Sequence, residues 1–341
     1  MKPDHIIISL TDSIGDVVLT FPLLGLLKKK FPDIRITFLG KNYTRPVIMA
    51  CSHVDYFLDW DEMQNHTPET RLTLLKSMEA DSILHVFPRK EIATLAIKAR
   101  IPVRMGTTGR FYHWFTCNHL IKLTRKNSPF HEAQLNILLA QKLLGKILVA
   151  TDEMPALYGF DKIAPLPQEL STLIDPKRFN LILHPKSKGS AREWGTANFA
   201  AFSALLPRHR YKVFITGTKA EGDLLIQEGF YDRAGEVTDL TGKMSLEKMI
   251  SFIQAADGLI AASTGPLHIA AALGKISLGI YPPIRPMHPG RWAPIGKHAS
   301  WLVAEKECND CLEGGPCHCM LEITPIQVQQ KLITMVDTDL T

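Results

Sequence analysis

The chain has 341 residues, of which 45% are hydrophobic and 21% charged, with a formal net charge of +5 at pH 7. That length exceeds one ordinary core and suits two α/β domains, and the composition excludes a disordered, collagenous or disulfide-scaffold protein. The mild positive balance favours anionic partners but is too small to indicate nucleic acid, for which no motif is present.

The first apolar run, Ile6-Ile7-Ile8-Ser9-Leu10, is too short for a signal-peptide core and reads as a strand. No apolar run reaches the length needed to span a bilayer, so the expectation is a cytoplasmic protein, at most peripheral to the membrane. Strand patterns then recur at residues 34–40, 54–60, 82–87 and 103–106, alternating with helical spacing over residues 16–30, 43–51, 67–78 and 91–99. Strands linked by crossover helices imply a parallel sheet covered on both faces. The alternation breaks over residues 151–178, which hold Pro155, Pro165, Pro167 and Pro176 and read as an interdomain linker with a leading helix. It restarts with strands at 180–184, 212–216, 258–262 and 276–281 and helices at 198–206, 219–227, 246–256 and 266–273; a last helix is expected over 324–336. The division expected is 1–160, 176–325 and a C-terminal helix and tail at 326–341, with no sequence repeat between the halves.

Of six cysteines, Cys51 and Cys117 read as small apolar core residues. The others crowd as Cys308-x2-Cys311-x5-Cys317-x-Cys319 around His318. Four thiols in that window are a candidate zinc site, although the second pair has only one residue between its members. Reduced surface thiols are the alternative in a cytoplasmic chain.

The richest motif is Ser263-Thr264-Gly265-Pro266-Leu267-His268, between a buried strand and an Ala-rich helix. Free N–H groups at a helix N-terminus, beside the Thr264 hydroxyl, Gly265 and the His268 imidazole, make a seat for a phosphate or pyrophosphate. The loop His184-Pro185-Lys186-Ser187-Lys188-Gly189-Ser190-Ala191-Arg192-Glu193-Trp194 supplies Lys186, Lys188 and Arg192 with two hydroxyls at a strand's carboxyl end, a composition that can surround a diphosphate. It lacks the ending of a Walker A loop. Gly217-Thr218-Lys219-Ala220-Glu221 offers a helix cap in Thr218 and a ribose-binding carboxylate in Glu221; Met244, before the capping residue Ser245, can lie against a base. In the first half, Ser13-Ile14-Gly15-Asp16 follows the first strand, where open α/β sheets place ligands. Asp16 is either a helix cap or a general base for an acceptor hydroxyl. Basic residues Arg100, Arg104, Arg110, Lys122, Arg125 and Lys126 interleave with Phe111, Tyr112, Trp114 and Phe115, a surface suited to an anionic glycolipid and membrane headgroups.

Taken together, Ser13–Asp16, the 184–194 loop, Gly217–Glu221, Met244–Glu247, Ser263–Gly274 and the late Cys317-His318-Cys319-Met320 resemble glycosyltransferase family 9, the ADP-heptose:lipopolysaccharide heptosyltransferases, over nearly the whole chain. The resemblance implies an α/β GT-B fold of two doubly wound Rossmann-like domains facing across a cleft, with acceptor on the first and nucleotide sugar on the second. It implies metal-independent, inverting transfer of a heptose or related sugar to a lipopolysaccharide-core or other envelope glycan, with no cofactor and ADP-heptose as the favoured donor among nucleotide sugars. Asp16 matches the family's base and Arg192 the cation facing the leaving diphosphate. Thr264, Gly265 and His268 match its diphosphate contacts, and Lys186, Ser187, Lys188, Thr218, Glu221, Met244 and Ser263 fall at donor-site positions. The chain departs from the family at Ser263, where an acidic residue is common, and over residues 281–289, which bring in Arg285 and His288. The rival readings are a nucleotide-sugar epimerase of the same architecture and a non-catalytic sugar-nucleotide or glycolipid binding protein.

Overall fold

A computed structural model describes residues 2–125, 128–187, 189, 191–284, 287–305 and 318–339. The chain divides into two compact units, Met1–Lys162 and Ile163–Thr341.

The first unit holds β1 (His5–Ser9), β2 (Arg35–Gly40), β3 (Tyr56–Asp59), β4 (Ser82–His85), β5 (Val103–Thr107) and β6 (His119–Ile121), in the order β3-β2-β1-β4-β5-β6. Every neighbouring pair is parallel. Central β1 is buried along its whole length, as expected of a strand covered on both faces, whereas edge strand β3 is only half covered. One apolar cluster joins Ile7, Leu39 and Ile83 of the sheet to Trp60, Leu75, Ile92 and Leu95.

The second unit holds β7 (Phe179–His184), β8 (Tyr211–Ile215), β9 (Thr238–Asp239), β10 (Gly258–Ala262), β11 (Ile276–Tyr281) and β12 (Ala299–Val303), in the order β12-β11-β10-β7-β8-β9. These pairs are parallel too. Numbered within its own half, each sheet runs through the doubly wound order whose switch point lies between its first and fourth strands. Sequence shows no repeat, yet the same topology is built twice.

The single helix expected over residues 16–30 is two, Ile14–Val18 and Phe21–Lys30. Pro22 lacks an N–H and suits the first turn of a new helix rather than the interior of a long one. The Thr20 hydroxyl donates instead to the Asp16 carbonyl at 2.8 Å. Lys28, Lys29 and Lys30 fill the last turn, where cations meet the negative end of the helix.

Both units are closed by their last segments. Residues 154–160 return onto the start of the first unit. The Leu157 carbonyl lies against Gly25 so closely that an added Cβ would sit 2.2 Å from its oxygen. His53 Nε2 donates to that carbonyl at 3.1 Å, Ser52 N donates to Gly159 O at 2.6 Å, and Phe160 stacks on Phe21. In the second unit the helix Pro325–Asp339 puts Val328, Leu332 and Val336 into the core with Trp194, Phe199 and Phe202, and the Trp194 indole donates to Ile323 O at 2.7 Å.

Candidate active site

In the first unit the segment after β1 carries Asp16. Ser13 is the N-cap of Ile14–Val18, but its hydroxyl does not cap the backbone; it donates to Asp16 Oδ2 at 2.5 Å. Asp16 is thus a half-buried residue of the first turn rather than the cap, and its carboxylate accepts from a neighbour's hydroxyl. The segment from Thr11 to Thr20 is fastened by residues that follow β2, β4 and β6. Tyr43, beyond β2, donates to Asp12 O at 3.1 Å; burial and the nearby Asp12, Asp16 and Asp61 carboxylates push its phenol upward. Arg89, beyond β4, binds Thr11 through Nε to Oγ1 and through Nη2 to the carbonyl at 3.2 Å. Asn136 donates to Thr20 Oγ1 at 3.1 Å and accepts from Arg125 at 3.0 Å; Arg125 also pairs with buried Glu132. Arg89 and Asn136 went unnoticed in the sequence, because only the fold carries them to the β1 loop.

Below that loop, Ser9 and His85 are register partners at the ends of β1 and β4. Ser9 Oγ and both His85 ring nitrogens are buried without a hydrogen-bond partner among the described residues. Burial, reinforced by His113 and Arg104, drives the His85 pKa down to about 3.

In the second unit the candidate residues lie at the carboxyl ends of β7, β8, β9 and β10. The sheet order sets the loops after β7 and β10 side by side at the switch point. Thr264 is the N-cap of the helix Gly265–Ala272, with extended backbone and no side-chain cap. Its hydroxyl is buried, and Oγ1 has no partner among the described residues. Pro266 removes one N–H from the first turn, so the remaining donors of Gly265 and Leu267 stand at an uncapped helix end. His268 is buried one turn on, with its N–H 3.4 Å from Thr264 O. Ser263 bonds the buried Tyr281 phenol, which also donates to Trp292 O at 2.6 Å; burial pushes that phenol upward.

The loop after β7 is organised by carboxylates that the sequence reading left out. Glu193 accepts from Ser187 N at 2.9 Å and Ser187 Oγ at 3.1 Å. Lys186 is buried, with Nζ 2.8 and 2.9 Å from the two Glu228 oxygens and 3.4 Å from Glu193. Burial pushes Glu228 up, but hydrogen bonds from Lys186 and Thr196 outweigh it and hold the carboxyl below its ordinary value. Lys186 is therefore satisfied within the protein. Arg192 is half-buried at the end of the loop; Lys188 lies outside the described residues.

Thr218 and Glu221 close a capping box on the helix Lys219–Gln227, with Glu221 Oε2 accepting from Thr218 N at 2.7 Å and Thr218 Oγ1 at 2.9 Å. The carboxylate expected at a ribose thus serves first as a helix cap. Met244 is half-buried ahead of Ser245, which caps Leu246–Ala255. Cys308, Cys311 and Cys317 of the candidate zinc cluster lie outside the described residues, as does Arg285; Cys319 is buried in the second unit's apolar core. His288 Nδ1 accepts from Gly290 N at 2.9 Å, capping a short turn of helix.

A family model described as Glycosyltransferase family 9 (heptosyltransferase) matches residues 75–318. Lipooligosaccharide heptosyltransferase 2 of Haemophilus influenzae is 22% identical over 94% of this chain and 95% of its own length. The crystal structure of a glycosyl transferase family 9 protein from Veillonella parvula superposes with a TM-score of 0.78, at 18% identity and 98% coverage of both chains. The structure of Escherichia coli ADP-heptose LPS heptosyltransferase II does so with a TM-score of 0.75, at 17% identity over 99% of this chain and 100% of that one. Two parallel sheets with helix-terminus loops at their carboxyl edges agree with that likeness of fold. The chain belongs to glycosyltransferase family 9 and is a glycosyltransferase of GT-B fold.

Proposed function

We propose that this protein transfers a heptose or related sugar from a nucleoside diphosphate donor, ADP-heptose being favoured, to an anionic glycolipid acceptor of the lipopolysaccharide-core class at a cytoplasmic membrane face. The observation that carries the donor half is the helix Gly265–Ala272, which has no side-chain cap, with a buried Thr264 hydroxyl beside it that has no partner among the described residues. A helix end of that kind is poised for an anion. Support for the donor's identity comes from the heptosyltransferase relatives, one of which is named for ADP-heptose.

In this reading the first unit takes the acceptor. Asp16, oriented by Ser13, removes the proton of the attacking acceptor hydroxyl. The acceptor oxygen bonds to the anomeric carbon as the bond from that carbon to the diphosphate oxygen breaks, in one displacement that inverts the centre. The departing diphosphate gains charge, which the helix N-terminus, Thr264, His268 and Arg192 stabilise without a metal ion. Thr218 and Met244 line the nucleoside side, while Lys186 and Glu193 hold the loop that carries Arg192.

A thermal-shift series with ADP, UDP and GDP tests the nucleotide; ADP should raise the midpoint most, in proportion to its excess over Kd. Turnover with ADP-heptose and a heptose-deficient core glycolipid should give product of inverted anomeric configuration, with rates unaffected by EDTA. Retained configuration, or a rate abolished by EDTA and restored by a divalent cation, would refute the mechanism.

A further inference from the structure

Residues 111–115 form an exposed aromatic platform that the transfer chemistry does not use. Phe111 is 79% exposed, Phe115 69% and Trp114 59%. Among the described residues six exposed large apolar side chains are aromatic, and three of them stand in these five positions. Solitary exposed apolar residues are ordinary; a cluster marks an interaction surface.

Hydrogen bonds and packing beneath the platform hold its rings outward. The short helix His113–Thr116 sits on β5, with His113 Nδ1 3.1 Å from the Thr107 backbone and its ring so close to Gly106 that an added Cβ would lie 2.6 Å from Nδ1. Arg104 Nε donates to Thr116 O at 2.8 Å, closing the helix from below. The Trp114 indole N–H is satisfied by Thr108 O at 3.1 Å, and Phe111 packs edge-on against Phe115. What faces out is apolar ring.

Charge selects the occupant. Residues 92–131 contain seven Lys or Arg and no Asp or Glu; with +5 on the whole chain, all other residues together net −2. Arg110 is exposed next to Phe111. Lys122 is exposed between residues 121 and 123, which bond back to Thr108 N and Thr107 Oγ1. Exposed aromatic rings flanked by Arg110 and Lys122 match the headgroup boundary of an anionic bilayer, where such rings settle at the interface and cations meet phosphate. The platform also stands on the carboxyl edge of the first sheet. Its strand, β5, is two places from β1, about 10 Å along the sheet, and β1 leads to Asp16.

We propose that residues 110–122 dock the first unit on an anionic bilayer, with Phe111, Trp114 and Phe115 entering the headgroup boundary and Arg110 and Lys122 on lipid phosphates. This rests on the reading of a membrane-borne acceptor and adds the element that reaches the membrane. The test is co-sedimentation of the full chain with acceptor-free vesicles of phosphatidylcholine alone or in equimolar mixture with phosphatidylglycerol. Wild type should bind the mixed vesicles and bind the neutral ones roughly tenfold less. The Phe111→Ser/Phe115→Ser double variant should lose about tenfold or more on the mixed vesicles, with unchanged ADP affinity and mass in solution. Arg110→Glu should weaken binding in a salt-dependent way and keeps the test decisive if the double variant fails to fold. Brominated acyl chains should quench wild-type emission but leave Trp114→Phe largely unquenched. Equal vesicle binding by all variants would overturn this assignment while leaving membrane recruitment standing. A change in oligomeric mass in the double variant would overturn it in favour of a contact between copies. Wild type that ignores anionic vesicles would overturn both it and the membrane half of the proposed function, with ADP binding still reporting on the donor half.

Discussion

The Ser13 hydroxyl reaches the Asp16 carboxylate across 2.5 Å, three residues along the chain. A side chain that would ordinarily cap a helix is used to aim a carboxylate. Asp16→Asn should lower kcat by about 10²–10⁴ with ADP affinity unchanged, the usual cost of losing a general base. Ser13→Ala keeps the carboxylate but removes one of the hydrogen bonds that orient it, and kcat should fall by up to roughly tenfold at constant donor KM. Steady-state kinetics with calorimetry for ADP decides this; wild-type turnover by Asp16→Asn excludes Asp16 as the base.

Thr264→Val separates ligand binding from folding. Valine matches threonine in shape and removes a buried hydroxyl that has no partner among the described residues, so unfolding stability should hold or rise slightly. Nucleotide Kd should rise by about tenfold, because a hydrogen bond to an anion is lost. A Kd equal to wild type removes Thr264 from the diphosphate seat.

His85 makes stability depend on pH. Its pKa is about 3 in the folded protein and near 6.5 when exposed, so the unfolded chain binds the extra proton first as pH falls. The contribution is complete above about pH 6.5 and is lost progressively toward pH 3, by up to about 1.4 kcal/mol per pH unit. His5, His113 and His184 are shifted down by burial and act in the same direction. Denaturant melts between these limits should show His85→Gln with a shallower dependence than wild type; parallel slopes would contradict the assignment.

Gly25→Ala should destabilise the first unit by about 2–3 kcal/mol, an overpacking cost. The new Cβ would meet a backbone oxygen at 2.2 Å, and a backbone cannot move aside as a flexible side chain can. Chemical denaturation followed by Trp emission reads the change, and a midpoint equal to wild type would mean that residues 154–160 do not hold this position.

Strands such as 258–262 and 276–281 were readable because burial on both faces leaves them almost wholly apolar, the buried Ser277 being the exception. Missed were β6, β9 and β12, which have three, two and five residues, lie at or near the sheet edges and carry too few buried positions for a period to register. The helix Glu132–Leu139 was missed because its capping box begins with His131 rather than with a hydroxyl residue or Asp/Asn. That Thr264 and Asp16 stand at the starts of helices that follow strands was readable from the glycines next to them. Glu228 was not, for it meets Lys186 from 42 positions away. Lys186, expected at the donor, is paired in the structure with both the Glu193 and Glu228 carboxylates.

The return of residues 154–160 onto Gly25, Ser52 and His53 sets a timetable for synthesis. A nascent first half lacks its sealing segment until residue 160 has left the ribosome. At roughly 5–20 residues per second the surface around Gly25 waits on the order of ten seconds, bare and apolar. Translation speed across the first 160 codons, and the chaperones that shield emerging chains, therefore bear on how much of this enzyme reaches its folded form.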